Sequence, residues 1–203
     1  MRLAKYSLIT LIGCLTGPAL AHHPTGGGTP ETIGHGLLSG VGHPLVGIEH
    51  LMFLLGLAGV ASLINGHRVG GGTMFVMTTV LGSLIHVSGL SLPWPHVVVS
   101  VSIIGAGVFL AMRWQPPRII LSPLGGLAGL WHGFAYGEAV IGAEPAVVGA
   151  YLVGLASIQG GVLIVATTFL YRLRAAWPDG TVSVFRVAGS ALFLFGAGFA
   201  VFG

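Results

Sequence analysis

Polar residues break this chain into blocks, and between the breaks it is almost wholly apolar. Six apolar stretches run at roughly 44–64, 73–90, 97–112, 119–137, 146–171 and 184–203. Breakers separate them: Asn65-Gly66, Pro93-Trp94-Pro95, Pro116-Pro117, Glu144-Pro145 and Pro178-Asp179-Gly180. A membrane-spanning helix needs ~20 apolar residues, so the pattern predicts about six spans, some of them short. Ahead of them, Arg2 and Lys5 precede a short apolar run from Tyr6 to Leu15, and Ala19-Leu20-Ala21 fits a cleavage site before His22. Residues 1–21 therefore read as a cleaved signal peptide. Two other readings stay open: a lipoprotein box at Leu11-Ile12-Gly13-Cys14, and retention of the run as a further span. Residues 22–42 read as an extracytoplasmic His/Gly-rich loop with a short helix from Glu31 to Leu38. Residues 43–203 then form the six-helix transmembrane domain.

Charge placement supports this count. If the leader is removed, the mature N-terminus is extracytoplasmic and the loops alternate from there. Arg68, Arg113, Arg118, Arg172, Arg174 and Arg186 fall on the inner side. The outer loops hold Glu31, Glu138 and Glu144, with no Lys or Arg, which is a complete positive-inside split for a cytoplasmic (inner) membrane. Composition agrees. Of 203 residues, 54% are hydrophobic and 6% charged, against roughly 25% charged in soluble domains. The fold class expected is an all-α, multi-pass membrane protein. A net charge of +3, thinly scattered, gives no footing for nucleic acid. Cys14 is the only cysteine, so thiolate sites and disulfides are excluded from a mature chain starting at His22.

Two polar clusters sit against this apolar background. His43-Pro44-Leu45-Val46-Gly47-Ile48-Glu49-His50 heads the first stretch, and Trp131-His132-Gly133-Phe134-Ala135-Tyr136-Gly137-Glu138-Ala139 ends the fourth. Ionisable groups at membrane depth are costly and mark function by default. Pro44 suits the first helical turn of span one, placing His43 at its mouth. His50 lies ~10 Å deeper at 1.5 Å per residue. A straight helix cannot bring both rings to one ion, so either His43 is an entry ligand or the helix breaks near Gly47. His132 and, on span two, His86 lie ~6–7 Å below the outer surface by the same rise. Glu49, His50, His86 and His132 thus share the outer third. His22, His23 and His35 make a candidate metal-gathering arm, and Gln159, deep in span five, either lines a path or bonds helix to helix. Gly125, Gly129, Gly133 and Gly137 form a side-chain-free stripe for close helix packing, with span one as the expected partner. The two clusters lie on spans one and four, compatible with a 3+3 inverted arrangement.

Imidazole and carboxylate without sulfur suit divalent nickel, cobalt or zinc; calcium and magnesium want mostly oxygen. The candidate metal ligands are His43, Glu49, His50, His132, Glu138 and His86. The bland alternatives are a hydrogen-bonded structural pair at Glu49-His50, a satisfied imidazole at His86 and a solvated carboxylate at Glu138. No enzyme is expected: His-Glu-x-x-His is absent, and Ser83 with His86 lacks a nucleophile elbow. No phosphate-binding loop is present, so an ATP-driven pump is not expected either. No prosthetic group is implied; the oligomeric state stays open.

The first cluster, with the second in the fourth stretch and a leader ending Ala-His-His-Pro, resembles the HupE/UreJ family of nickel/cobalt permeases. His43, Pro44, Gly47 and His50 match that family's first motif, with Glu49 for its Asp. His132, Gly133, Ala135 and Gly137 match the second, with Trp131 for Phe, Tyr136 for a second His, and Glu138 as the nearby acid. The resemblance implies secondary uptake of Ni2+ or Co2+ across the lipid bilayer, supplying hydrogenase, urease or cobalamin enzymes. A membrane accessory or sensor that binds metal without carrying it is the alternative.

Overall fold

The structure is a computed structural model and describes residues 28–64 and 70–203. The expected signal peptide, His22, His23 and Arg68 lie outside the described residues. Within them the chain is all helical: α1 (Ile33–Val46), α2 (Ile48–Leu63), α3 (Gly70–Val87), α4 (Pro95–Ala111), α5 (Arg118–Gly137), α6 (Pro145–Ala176) and α7 (Pro178–Phe202), with a 3₁₀ turn at Glu138–Val140. The five later apolar stretches each form one helix, whereas the first, 44–64, is divided at Gly47, and its breaker Asn65-Gly66 lies outside the described residues. Pro95, Pro145 and Pro178 open α4, α6 and α7, where the missing N–H costs nothing. Helices α6 and α7 are each long and apolar enough to cross a membrane, and α1 with α2 meets that measure as a bent pair. Helices α3 and α4 are shorter and apolar. The chain is an all-helical membrane protein.

Helix α1 departs from the sequence expectation. Residues 33–42, expected mainly as loop, are its first turns, and Pro44 lies in its last turn rather than opening the next helix. Thr32 caps α1 by accepting from the His35 N–H at 3.2 Å. The local sequence is poor helix material; docking on α6 overrides it. A Cβ on Gly36 would sit 2.6 Å from the Val147 carbonyl oxygen, and one on Gly40 or Gly154 would strike the carbonyl of Tyr151 or Leu37.

A single residue, Gly47, separates α1 from α2, and the two axes bend by 73°. Pro44 has no N–H for the helical ladder, which weakens the end of α1. Gly47 then turns to ψ 96°, and the ladder restarts with the His50 and Leu51 N–H groups on its carbonyl, both at 3.0 Å. The φ of −71° suits any residue. What demands glycine is space: a Cβ here would lie 2.8 Å from the His50 ring.

Helix α2 is the axis of the bundle, packed by α1, α3, α4, α6 and α7. Between Phe53 and Leu63 only Leu55 is exposed, as befits a helix apolar all round. The Arg174 guanidinium donates to the Leu63 carbonyl at 2.7 Å, placing a cation at the negative end of α2. Around this axis three glycine-lined seams join α1 to α6, α3 to α5 and α4 to α7. The predicted stripe on α5 is one of them, but its partner is α3, not span one. Gly125, Gly129, Gly133 and Gly137 lie against the carbonyls of Gly71, Phe75, Thr79 and Ser83. Both rows repeat every four residues, so the two backbones meet along their length. The seam carries its own polar link, Ser83 donating to the Gly133 carbonyl at 2.8 Å.

Candidate metal site

The break at Gly47 solves the depth problem posed by the first cluster. It sets the His43 and His50 rings edge to face, with centroids 6.1 Å apart, although seven residues separate them in sequence. Glu49 and His50 form the first turn of α2. Helix α5 delivers His132 beside them: His50 Nδ1 and His132 Nδ1 are 2.9 Å apart. Glu49 Oε1 lies 3.3 Å from His50 Nε2. On the far side, His132 Nε2 is 2.9 Å from Ser102 Oγ on α4. The result is one polar thread, Glu49–His50–His132–Ser102, through three helices. His132 is wholly buried and His50 is 3% exposed. The Phe53 ring covers His132 at 4.5 Å and Phe75 meets it edge-on.

The proton count on this thread is informative. Two ring nitrogens at 2.9 Å must share one proton or one ion, because two bare lone pairs would repel. Two ligands at right angles on one metal stand about 2.9 Å apart, given metal–nitrogen bonds of ~2.0–2.1 Å. The spacing therefore suits either state. Among the described residues no three His, Asp or Glu side chains already converge as a metal-holding group. As it stands, the site is a polar network whose Glu49 end is partly exposed, and an ion would have to take the place of the shared proton.

Two tyrosines frame the cluster. Tyr151 on α6 donates to the Tyr136 carbonyl at 2.9 Å, and its oxygen lies 2.9 Å from His43 Nδ1. With its one proton so committed, the Tyr151 oxygen accepts from His43 Nδ1–H, which makes Nε2 the unprotonated nitrogen of a neutral His43 ring. Tyr136 packs its own ring on His50 at 4.1 Å and against His43 at 5.0 Å. It thus fills, with an aromatic wall, the position where a second imidazole was looked for.

The remaining candidates are placed elsewhere. His86 stacks on Phe134 at 4.0 Å, with its Nδ1 on the Phe134 carbonyl; it belongs to the α3–α5 seam. Glu138 stands exposed in the 3₁₀ turn. His35 is exposed on α1. Ser102 and Tyr151 were not singled out from sequence. Tyr151 had a signal: Tyr151, Leu155 and Gln159 share one face of α6 at four-residue spacing. Ser102 had only its polarity in an apolar run.

Ser102 also donates to the Val99 carbonyl at 2.7 Å, leaving its lone pair to accept from His132 Nε2–H. That fixes the tautomer in which Nδ1 faces His50. Outer partners of this kind are worth ~10–100-fold in metal affinity. Ser102→Ala is accordingly expected to weaken cobalt binding by about that factor, and to lower the melting temperature because the buried His132 Nε2–H is left unpaired at a cost of ~1–3 kcal/mol, as measured by equilibrium dialysis and thermal unfolding in detergent.

Comparison with known proteins bears on the chain as a whole. The family model described as HupE / UreJ protein matches residues 10–199. The chain is also similar to Protein HupE of Rhizobium leguminosarum bv. viciae, at 27% identity over 135 residues, which cover 66% of this chain and 68% of that one. No solved structure matches it. The family match takes in all seven helices except the last residues of α7, and on that extent the chain belongs to the HupE/UreJ family.

Proposed function

We propose that the protein is a secondary transporter that imports a divalent transition metal, nickel or cobalt, across the bacterial cytoplasmic membrane. In this reading the mature N-terminus is extracytoplasmic and α2 to α7 are six spans, with α1 folded against α6 at the outer mouth. His43 receives the ion, which passes to Glu49, His50 and His132 in the outer half of the bundle. The observation that carries the reading is the thread from partly exposed Glu49 to buried His50 and His132. It joins α2 to α5 by groups that are expensive in lipid, and nitrogen with carboxylate suits these metals. Family membership points to the same class of cargo. The protein is not an enzyme in this reading and holds no prosthetic group; the ion is its substrate.

The test is metal accumulation in cells lacking their own nickel and cobalt importers. Wild type and Glu49→Ala are compared at equal amounts in the membrane, with each ion offered at trace level. Uptake by wild type and its loss in Glu49→Ala is the expected result. Equal uptake by both would remove Glu49 from the site. Metal bound by the wild type but not accumulated would make it a membrane accessory or sensor.

A further inference from the structure

Beside the His43–His50–His132 cluster lies a second polar group, Tyr136 of α5 with Gln159 of α6, that the proposed function does not use. Tyr136 and Gln159 are both wholly buried. The Gln159 amide is close enough to interact with the Tyr136 hydroxyl. Yet neither the hydroxyl oxygen nor either amide atom has a partner of ordinary hydrogen-bond geometry. Even if the hydroxyl swung to donate to the amide oxygen, the two N–H donors of Gln159 would still be unmatched. Buried polar groups left unsatisfied cost ~1–3 kcal/mol each, so three such atoms together call for something that pairs with them.

Position suggests what that is. Gln159 lies fourteen residues into α6, ~20 Å along its axis, and eight residues beyond Tyr151, which bonds to His43. Tyr136 bridges the two levels: its ring packs on His50 and its hydroxyl faces Gln159. A hydroxyl and a carboxamide each both donate and accept. They are neutral, and so suit a cation that still carries some of its water better than a bare ion. Neutral oxygen also holds a divalent transition metal more weakly than imidazole and carboxylate do. A weaker station beyond a stronger one lets an ion move on, as conduction requires.

Resting on the transport reading above, we propose that Tyr136 and Gln159 form a second station, which takes the partly hydrated divalent ion after it leaves Glu49, His50 and His132.

Cobalt(II) is the probe, used with the full chain. Binding is measured by equilibrium dialysis in detergent, and flux in proteoliposomes under an imposed gradient. Wild type should bind two ions per chain, one tightly and one weakly. Gln159→Leu and, more conservatively, Tyr136→Phe should each bind one, with the tight constant kept, and should carry cobalt at a rate lower by roughly tenfold. One ion per wild-type chain at millimolar cobalt overturns the proposal. So does wild-type flux in both variants. So does loss of tight binding together with a lowered melting temperature in both, since the pair would then only hold the bundle. If wild type binds cobalt but carries none, the transport reading fails on its own. The station is then judged by stoichiometry: two ions against one keeps it, and equal numbers reject it.

Discussion

Replacing His132 by alanine is expected to abolish metal binding and to lower the melting temperature as well. His132 is wholly buried and both of its ring nitrogens are engaged, one by His50 and one by Ser102. Its removal takes a partner from each and leaves a cavity under Phe53 and Phe75. Truncating a buried side chain of this size costs ~2–5 kcal/mol. The loss of affinity should exceed the ~10–100-fold typical of an outer partner, because here a donor nitrogen itself is gone. Dialysis against nickel and cobalt, paired with thermal unfolding, separates the two effects. A variant that melts early yet binds with wild-type affinity would make His132 a core histidine and nothing more.

The second large effect concerns assembly. Gly129→Val on α5 is expected to prevent folded protein from accumulating in the membrane. A Cβ at this position would strike the Phe75 carbonyl and the Thr78 hydroxyl. Overpacking usually costs ~1–3 kcal/mol when side chains can give way; here part of the obstacle is backbone, so the cost should exceed that range. Gly149→Val on α6 is the matched control, since nothing lies within 4 Å of its added Cβ. Equal yield and equal melting temperature for the two variants would show that the α3–α5 seam does not hold these helices together.

The parts of this molecule that were legible in sequence were those set by solvent. Uniform apolarity between Gly and Pro breakers marked where helices run, because lipid leaves the backbone few other choices. The cost of ionisable groups in lipid drew attention to Glu49, His50 and His132, and the structure brings these together. The parts that were not legible depend on which backbone meets which. The stripe from Gly125 to Gly137 announces a close neighbour without naming it, and α3 is no more marked for that role than α2. Residues 33–42 look like loop until α6 is present to receive Gly36 and Gly40. Ser102 resembles any small residue packed in an apolar helix, and only the position of His132 Nε2 gives it a task. His86 shows the converse: its depth matched the cluster, but its ring serves Phe134 instead.

The junction at Gly47 has a mechanical meaning. His43 rides on α1, which is locked to α6, whereas Glu49 and His50 ride on α2 at the centre of the bundle. In the transport reading a cargo gripped by all three would be held across a joint, and the strength of the grip would depend on the angle of that joint. Opening or closing the 73° elbow would change how many donors the cargo can reach, so that filling the site and setting the elbow become a single event.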